Sequence, residues 1–289
     1  MPRNIDVVFT YVDGKDPKWL EKKNMYFNGD LQHLNGKLRF ENINEIYYSV
    51  KSVLHFAPWI NNIYIVTDDQ KPPLKELYNS NKIVIIDHKE IIPPQFLPTF
   101  FSDVIESFIH NIPKLSEVFI YNNDDFFFFD KIYLSDIITN NKLKIINNFN
   151  IERAQADPCE YSKRIINTTK LLNWDFYVNN HCSKILRKST LKYIEKNYKD
   201  ILDNLRGYKF RNDTSIQYLF LALNVDHKLN NNIIIPRNNN NYVGHSFGTN
   251  YNESLKDHFV YKKCKFTCYN NMNHTYKPTF RKMMNSILK

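Results

Sequence analysis

The sequence predicts an α/β protein with a mainly parallel central sheet flanked by helices, followed by a more irregular, α-rich C-terminal half. Two observations predict this fold class. Apolar runs typical of buried strands alternate with helical patterns through the first 135 residues, and each of the first four runs ends in aspartate. Ligands of parallel α/β sheets bind beyond the carboxyl ends of the strands, so these acidic ends are expected to share one polar edge.

The first strand is predicted over 5–12, and the Asp13-Gly14-Lys15-Asp16-Pro17 turn leads into a helix over 18–26. The strongest helical pattern covers 42–56, with Asn42 as N-cap and Glu45 three residues later, as in a capping box. The other elements predicted in this half are strands over 62–66, 83–86 and 118–123 and helices over 72–79 and 99–110.

Beyond Asp130 the hydrophobic pattern is weaker, and the predicted elements are correspondingly less regular. A polar loop is expected over 152–162, and a helical stretch is expected to follow His181-Cys182-Ser183 and to reach 198. The remaining predictions are strands over 142–149, 233–235 and 265–269 and helices over 165–176, 214–223 and 279–288.

Two adjacent carboxylates, Asp124 and Asp125, stand between the apolar run that begins at Val118 and the aromatic run Phe126–Phe129. Carboxylates at the end of a buried strand are costly unless a divalent metal or a paired cation uses them. An Asx-rich turn between two strands is the alternative interpretation. The three other acid-ended strands favour a polar, metal-using site.

The composition limits the classes of molecule that the protein is expected to bind and the compartment in which it is expected to occur. The net charge of +9 is compatible with nucleic acid, an anionic membrane surface or phosphorylated substrates. The lysines are scattered and no nucleic-acid motif is present, so nucleic acid is not expected. The four cysteines form no C-x-x-C pair, which favours free thiols in a reducing compartment. Without a signal-peptide pattern or a run of ~18 apolar residues, the protein is expected to be cytoplasmic or peripheral on the cytoplasmic membrane face.

Four blocks of the sequence, taken in their order along the chain, are characteristic enough to compare with known families. They are IDVVFTYVDGKDP at 5–17, a second block from Leu38-Arg39-Phe40 through Ala57-Pro58-Trp59 and Leu97-Pro98-Thr99-Phe100 to Asn123-Asp124-Asp125, a third from His181 to Phe210-Arg211, and KFTCYNN at 265–271. Together they resemble the conserved blocks of the Stealth family, which includes bacterial capsular polysaccharide phosphotransferases and the catalytic subunit of the lysosomal-enzyme N-acetylglucosamine-1-phosphotransferase.

The resemblance implies one Stealth-type catalytic domain over 1–289 with a nucleotide-sugar-transferase-like fold. Residues 1–135 are expected to bind the nucleotide sugar, and 136–289 to complete the acceptor and catalytic parts. The implied reaction moves hexose-1-phosphate, in particular N-acetylhexosamine-1-phosphate, from a UDP-sugar to a hydroxyl of a polysaccharide or glycan acceptor. UMP is released and Mg²⁺ or Mn²⁺ is required. A glycosyltransferase that releases UDP and a catalytically impaired sugar-nucleotide-binding homologue are the alternatives.

The resemblance also assigns roles to individual residues. Asp125, His181 and Arg211 are the expected catalytic residues. His181 is expected to take the acceptor proton or to donate to the phosphate, and Arg211 to offer a bidentate fork to phosphate. Without the family context, His181 is typical of a structural histidine and Arg211 of a surface or salt-bridged arginine. The expected metal ligands are Asp124, Asp125 and Asn271. The expected substrate-binding residues are Asp13, Gly14, Asp16, Arg39, Ser102, Glu106 and Asn123.

Several positions depart from the pattern of the family. The departures are Tyr11 for Trp, Phe101 for Asn, Asp103 for a small polar residue, Cys182-Ser183 for Met-Pro and Asn271 for Asp. The last is the most consequential, because asparagine keeps an oxygen ligand but loses the negative charge that a metal site uses.

Overall fold

The structure, a computed structural model, describes residues 4–27, 40, 43–157, 159–236, 246–247, 264–269 and 277–289. The elements of the first half are β1 Ile5–Thr10, α1 Pro17–Tyr26, α2 Glu45–Phe56, β2 Ile63–Thr67, β3 Ile83–Asp87, α3 His88–Ile91, α4 Ser102–Glu106, β4 Val118–Asn123 and β5 Phe126–Phe128. Those of the second half are α5 Leu134–Ile137, β6 Ile138–Thr139, β7 Lys142–Asn147, α6 Ile151–Ala156, α7 Glu160–Leu172, β8 Lys184–Arg187, α8 Lys188–Asn197, α9 Lys199–Arg206, α10 Tyr218–Asn230, β9 Ile233–Pro236, β10 Ser246–Phe247, β11 Phe266–Tyr269 and α11 Lys277–Ile287.

The main sheet has the strand order β3-β2-β1-β4-β8, and its first four strands run parallel. Thr10 at the end of β1 pairs with Val66 in β2 and with Asn123 in β4, so the carboxyl ends of these strands meet at one edge. The strands are apolar and almost fully buried, as expected where helices cover both faces of a sheet. The predicted fold class is therefore confirmed.

The fifth strand of the main sheet, β8, runs antiparallel to β4 and brings the second half of the chain into the same sheet. This strand was predicted to be part of a helix, which is wrong. Ile185 and Leu186 lie just before helix α8, and together with its apolar residues they fit the pattern of a helical face. In the structure they form a strand, because Leu186 pairs with Phe119 and Ile185 pairs with Ile120 of β4. Long-range pairing of this kind leaves no local signal in the sequence.

Two three-stranded sheets complete the described fold, in the orders β10-β11-β5 and β6-β7-β9. The aromatic run after Asp125 forms the buried strand β5, which pairs antiparallel with β11. A second hydrophobic cluster forms behind β5, separate from the main core. It includes Tyr48, Phe127, Tyr269, Phe280 and Met284. The turn between β4 and β5 thus lies where two sheets and two hydrophobic clusters meet.

Three local predictions differ from the structure. The segment predicted as a loop over 152–162 contains α6 and the start of α7. The helix predicted over 99–110 is shorter, because α4 ends at Glu106 and a 3₁₀ turn follows at Ile109–Asn111. The helix predicted over 72–79 is a 3₁₀ helix over Lys75–Asn79. In the part of the chain that the structure describes, no helix has the length and apolar character needed to cross a membrane.

The start of α2 also differs from its prediction. The helix begins at Glu45, and its N-cap is Asn44 in a left-handed conformation with φ 79°. The Glu45 carboxylate accepts a hydrogen bond of 2.6 Å from the Ile43 backbone N–H, so it stabilises this turn without a capping box on Asn42. Asn42 itself lies outside the described residues. The consequence is that Glu45 is buried close to the end of β4.

Candidate active site

Most of the acidic strand ends have local structural partners. Asp16 caps α1 by accepting the Trp19 N–H at 2.8 Å, and Asp87 caps α3 by accepting the Lys89 N–H at 2.8 Å. Asp68 accepts a 2.6 Å hydrogen bond from the Lys22 ammonium. Helix caps and an ion pair account for the described contacts of these three residues, and the prediction that the acidic ends form one site stays a prediction. The aspartates after β4 differ, because a buried carboxylate oxygen there has no such partner among the described residues.

Asp124 and Asp125 form the tight turn between β4 and β5, and the Asp125 carbonyl accepts the Tyr269 N–H of β11 at 3.0 Å. The Asp125 Oδ1 atom is buried and has no hydrogen-bond partner among the described residues. Burial raises the pKa of Asp125 well above its usual range, and the Asp124 and Glu45 carboxylates raise it further. Burial also raises the pKa of Asp124 to about 6 and that of Glu45 to about 8.

This donor set fits an oxygen-liganded divalent cation. Buried carboxylates whose pKa values rise together repel one another, and a cation removes that repulsion. Mg²⁺ is commonly held by one or two carboxylates together with substrate phosphates, which suits a pair of adjacent aspartates. Within the described residues, no group of three or more His, Cys, Asp or Glu is arranged to hold an ion by itself. Asn271, the third predicted ligand, lies outside the described residues.

A cavity of about 110 Å³ opens beside the end of β4. Its described wall includes five of the predicted site residues, Ser102, Glu106, Asn123, His181 and Arg211. They come from α4, β4, the segment before β8 and the loop before α10. The fold therefore brings together residues that lie up to about a hundred positions apart in the sequence, and this cavity is the candidate active site.

His181 immediately precedes β8 and is half-buried. Its ring makes T-shaped contacts with the Phe126 and Tyr161 rings at centroid distances of 5.8 and 6.0 Å. The Nδ1 atom has no hydrogen-bond partner among the described residues. Burial, and then the charge of Lys184, lower the pKa of His181 to about 4. The imidazole is therefore neutral at physiological pH and can accept a proton.

Arg211 lies on the loop between α9 and α10, and this loop is anchored by aromatic packing. The Phe210 ring stacks on Phe100 with a centroid distance of 5.0 Å and an interplanar angle of 13°. The Phe100 backbone N–H donates to the Lys209 carbonyl at 2.8 Å, which fixes the backbone of the same loop. These contacts hold Arg211 at the wall of the cavity.

Glu106 takes part in a buried network centred on the Tyr121 hydroxyl. That hydroxyl lies 2.8 Å from Thr10 Oγ1, 2.8 Å from Glu106 Oε1 and 2.9 Å from Asn123 Oδ1. The Tyr121 phenol has one proton to donate, and an amide oxygen can only accept. With this amide orientation the phenol proton goes to Asn123, and Thr10 can donate to the phenol oxygen. The remaining contact is therefore favourable only if Glu106 carries a proton and donates it to Tyr121. Burial, and then the Asp103 carboxylate, raise the pKa of Glu106 to about 8, which agrees with a neutral carboxyl.

We expect Glu106→Gln to flatten the pH dependence of stability. The pKa of Glu106 is about 8 in the folded protein and 4.5 ordinarily, so the wild type loses stability as pH rises between these values. The slope from this carboxyl is about 1.4 kcal/mol per pH unit. Urea unfolding at pH 6 and pH 8 measures it, with the exposed Glu152→Gln as control. A variant with the same slope as the wild type would contradict the prediction.

The cavity wall contains a buried ion pair that the sequence did not predict. Arg164 of α7 and Asp103 of α4 form a buried ion pair, and Asp103 also accepts the Tyr218 N–H at 2.7 Å. The Arg164 guanidinium packs 5.2 Å from the centre of the Phe101 ring. Asp103 and Phe101 were both noted as departures from the family pattern, and they meet the same arginine here. Arg164 itself lay in a segment of weak pattern that gave no signal.

The structure places the residues predicted to line the donor pocket at the end of β1. The Asp13 backbone N–H donates to Gln70 Oε1 at 2.7 Å, and the Asp13 carbonyl accepts the Gln70 amide at 3.0 Å. Gly14 has no room for a side chain, because a Cβ would lie 2.3 Å from the Phe40 carbonyl oxygen. With Asp16 capping α1, the described contacts of this turn are structural, and its role in substrate binding stays a prediction. Arg39 lies outside the described residues.

The fold has solved counterparts. The galactosyltransferase LgtC, solved in complex with donor and acceptor sugar analogs, superposes with a TM-score of 0.52 at 10% sequence identity. The match covers 98% of this chain and 96% of LgtC. The protein therefore has the α/β fold of a glycosyltransferase.

Relatives in sequence identify the family. A capsular polysaccharide phosphotransferase of Haemophilus influenzae, fcs1, is 32% identical over an alignment of 311 residues, and the match covers 90% of this chain and 82% of that protein. The cps1A enzyme of Actinobacillus pleuropneumoniae, of the same description, is 39% identical over 230 residues, covering 74% of this chain. Residues 39–146 match Stealth protein CR2, conserved region 2. The chain belongs to the Stealth family. It spans 63% of the length of cps1A.

Proposed function

We propose that this protein transfers hexose-1-phosphate from a UDP-sugar to a hydroxyl of a glycan acceptor and releases UMP, as in the synthesis of a capsule or another surface polysaccharide. The capsular polysaccharide phosphotransferases to which it is similar support this reaction class. The observation that carries the proposal is the joint placement of a neutral His181 and of Arg211 on one cavity beside the Asp124-Asp125 turn.

The proposed chemistry follows from these residues. His181 takes the proton of the acceptor hydroxyl, whose oxygen forms a new bond to the β-phosphorus of the donor. The bond between that phosphorus and the bridging oxygen breaks, and the electron pair leaves with UMP. Arg211 holds non-bridging oxygens of the transferring group, since phosphoryl transfer depends mainly on positioning and on neutralisation of charge. Asp124 and Asp125 would hold Mg²⁺ or Mn²⁺, which neutralises the diphosphate when bound.

The released nucleotide tests the proposal. Purified protein is incubated with UDP-N-acetylglucosamine, a glycan acceptor and Mg²⁺ or Mn²⁺, and the nucleotides are separated by ion-exchange chromatography. We expect UMP together with a phosphodiester signal in the ³¹P spectrum. The same assay with GDP- and CMP-sugars defines the donor.

A glycosyltransferase reaction is the second candidate, and the likeness of the fold to LgtC favours it. In that reaction the anomeric carbon is attacked and the nucleotide product is UDP. UDP without UMP would therefore overturn the proposed reaction in favour of this one. Binding of the donor without either product would indicate the impaired homologue that Asn271 allows.

A further inference from the structure

Lys184 is a buried cation on the wall of the same cavity. It is the first residue of β8, and its side chain is 4% exposed. The ammonium donates a 2.8 Å hydrogen bond to the Asn180 carbonyl and lies 5.9 Å from the centre of the Phe126 ring. An ammonium has three donors, and the Asn180 carbonyl is its one hydrogen-bond acceptor among the described residues.

The charge of Lys184 has no close carboxylate partner in the part of the chain that the structure describes. The nearby Asp103 pairs with Arg164. Glu106 is the other acidic residue on the described cavity wall, and burial raises its pKa to about 8, so it is neutral at pH 7. A buried ammonium without a counter-ion is costly, and burial lowers the pKa of Lys184 accordingly. An anion in the cavity would remove that cost.

The position of Lys184 matches the proposed chemistry. Lys184 pairs with Tyr121 across β8 and β4, so both side chains lie on one face of the main sheet, at the end of β4 that leads to Asp124. His181 and Arg211 line the same cavity. Its volume of about 110 Å³ equals that of only about four waters, whereas sites for whole drug-sized ligands enclose about 300 Å³ or more. The space is large enough for one phosphoryl group beside the Lys184 ammonium.

We infer that Lys184 forms the floor of a phosphate-binding subsite, where its ammonium donates to a non-bridging oxygen of the transferred phosphoryl group. This inference rests on the proposed function for the identity of the natural ligand, and on the cavity alone for the binding of phosphate. The uncompensated charge then has a role in the free protein as well, because it attracts a dianion into a site whose other wall carries Arg211.

Two substitutions separate the charge of Lys184 from its structural hydrogen bond. Lys184→Gln removes the charge but keeps an N–H donor for the Asn180 carbonyl, whereas Lys184→Met removes both. Lys196 is exposed on α8, so Lys196→Met is the control that changes the net charge equally. Binding of inorganic phosphate is measured by titration calorimetry in EDTA, so that no metal at Asp124 and Asp125 contributes. Thermal unfolding of each variant checks its fold.

We expect Lys184→Gln and Lys184→Met to weaken phosphate binding by about 10- to 100-fold, the range for a hydrogen bond to a charged group. Lys196→Met should bind as the wild type does. A wild type that binds no phosphate, or a folded Lys184→Gln variant that binds it normally, overturns the inference. Because phosphate binding is measured without turnover, the inference on Lys184 is tested independently of UMP release. Transfer activity with unchanged phosphate binding in Lys184→Gln would leave the proposed function standing and remove the subsite.

Discussion

Replacing His181 by glutamine is expected to lower kcat for UMP formation by about 10²- to 10⁴-fold, the usual contribution of a general base. Glutamine keeps a polar group of similar size beside Phe126 and Tyr161, but it cannot take a proton from the acceptor. Initial rates at saturating donor measure the effect. His55→Gln is the matched control, because His55 is exposed at the end of α2.

The pH profile gives a second test of the same residue. The pKa of His181 is lowered from 6.5 to about 4, chiefly by burial and then by the charge of Lys184. At saturating Mg²⁺, which keeps the Asp124 and Asp125 carboxylates ionised, the base form of His181 persists down to that value, so kcat/KM should decline on the acid side only below about pH 5. A decline centred near 6.5, or a His181→Gln variant with more than half of the wild-type rate, would remove His181 from the proton transfer.

Replacing Asp125 by asparagine is expected to have two effects of opposite sign. In metal-free protein it should raise the free energy of unfolding at pH 8, because a neutral amide removes the cost of an ionised carboxylate in a buried position. The sign follows from the folded pKa of Asp125, which lies well above the ordinary 3.8, so ionisation costs stability as pH rises. With metal present, UMP formation should decrease by on the order of 10²-fold.

Thermal unfolding with EDTA and with Mg²⁺ separates these effects. Mg²⁺ should raise the Tm of the wild type and leave that of Asp125→Asn unchanged. Asp69→Asn is the matched control, since Asp69 is exposed at the same edge of the main sheet and loses the same charge. If the variant is as destabilised in EDTA as in Mg²⁺, Asp125 has a structural role and is no metal ligand.

The sequence predicted the parallel part of the sheet because that part has local causes. Each of β1 to β4 is an apolar run long enough to be buried, and a helical segment or 3₁₀ turn separates each from the next. The same reasoning failed at β8, because Ile185 and Leu186 adopt a strand only through their pairing with β4. Lys184 was missed with it, since its burial depends on that pairing.

The candidate site could be predicted to the extent that its residues lie in recognisable sequence blocks. His181, Arg211, Glu106 and Asn123 were all proposed from the sequence, and the fold gathers them on one cavity. Charge balance could not be predicted in this way. A neutral Glu106 and an uncompensated Lys184 follow from burial and from the positions of neighbours distant in sequence, which the sequence alone does not display.

The turn between β4 and β5 has a consequence for the far end of the chain. Phe127 of β5 packs against Phe280 of α11 with a centroid distance of 5.5 Å, so the C-terminal helix rests on the strand that follows Asp125. Thermodynamic linkage is reciprocal: a ligand that favours the docked form of this strand strengthens the docking of α11 by the same factor. The amide protons of α11 should therefore exchange more slowly when the turn binds its ligand, which makes the helix a remote reporter of occupancy.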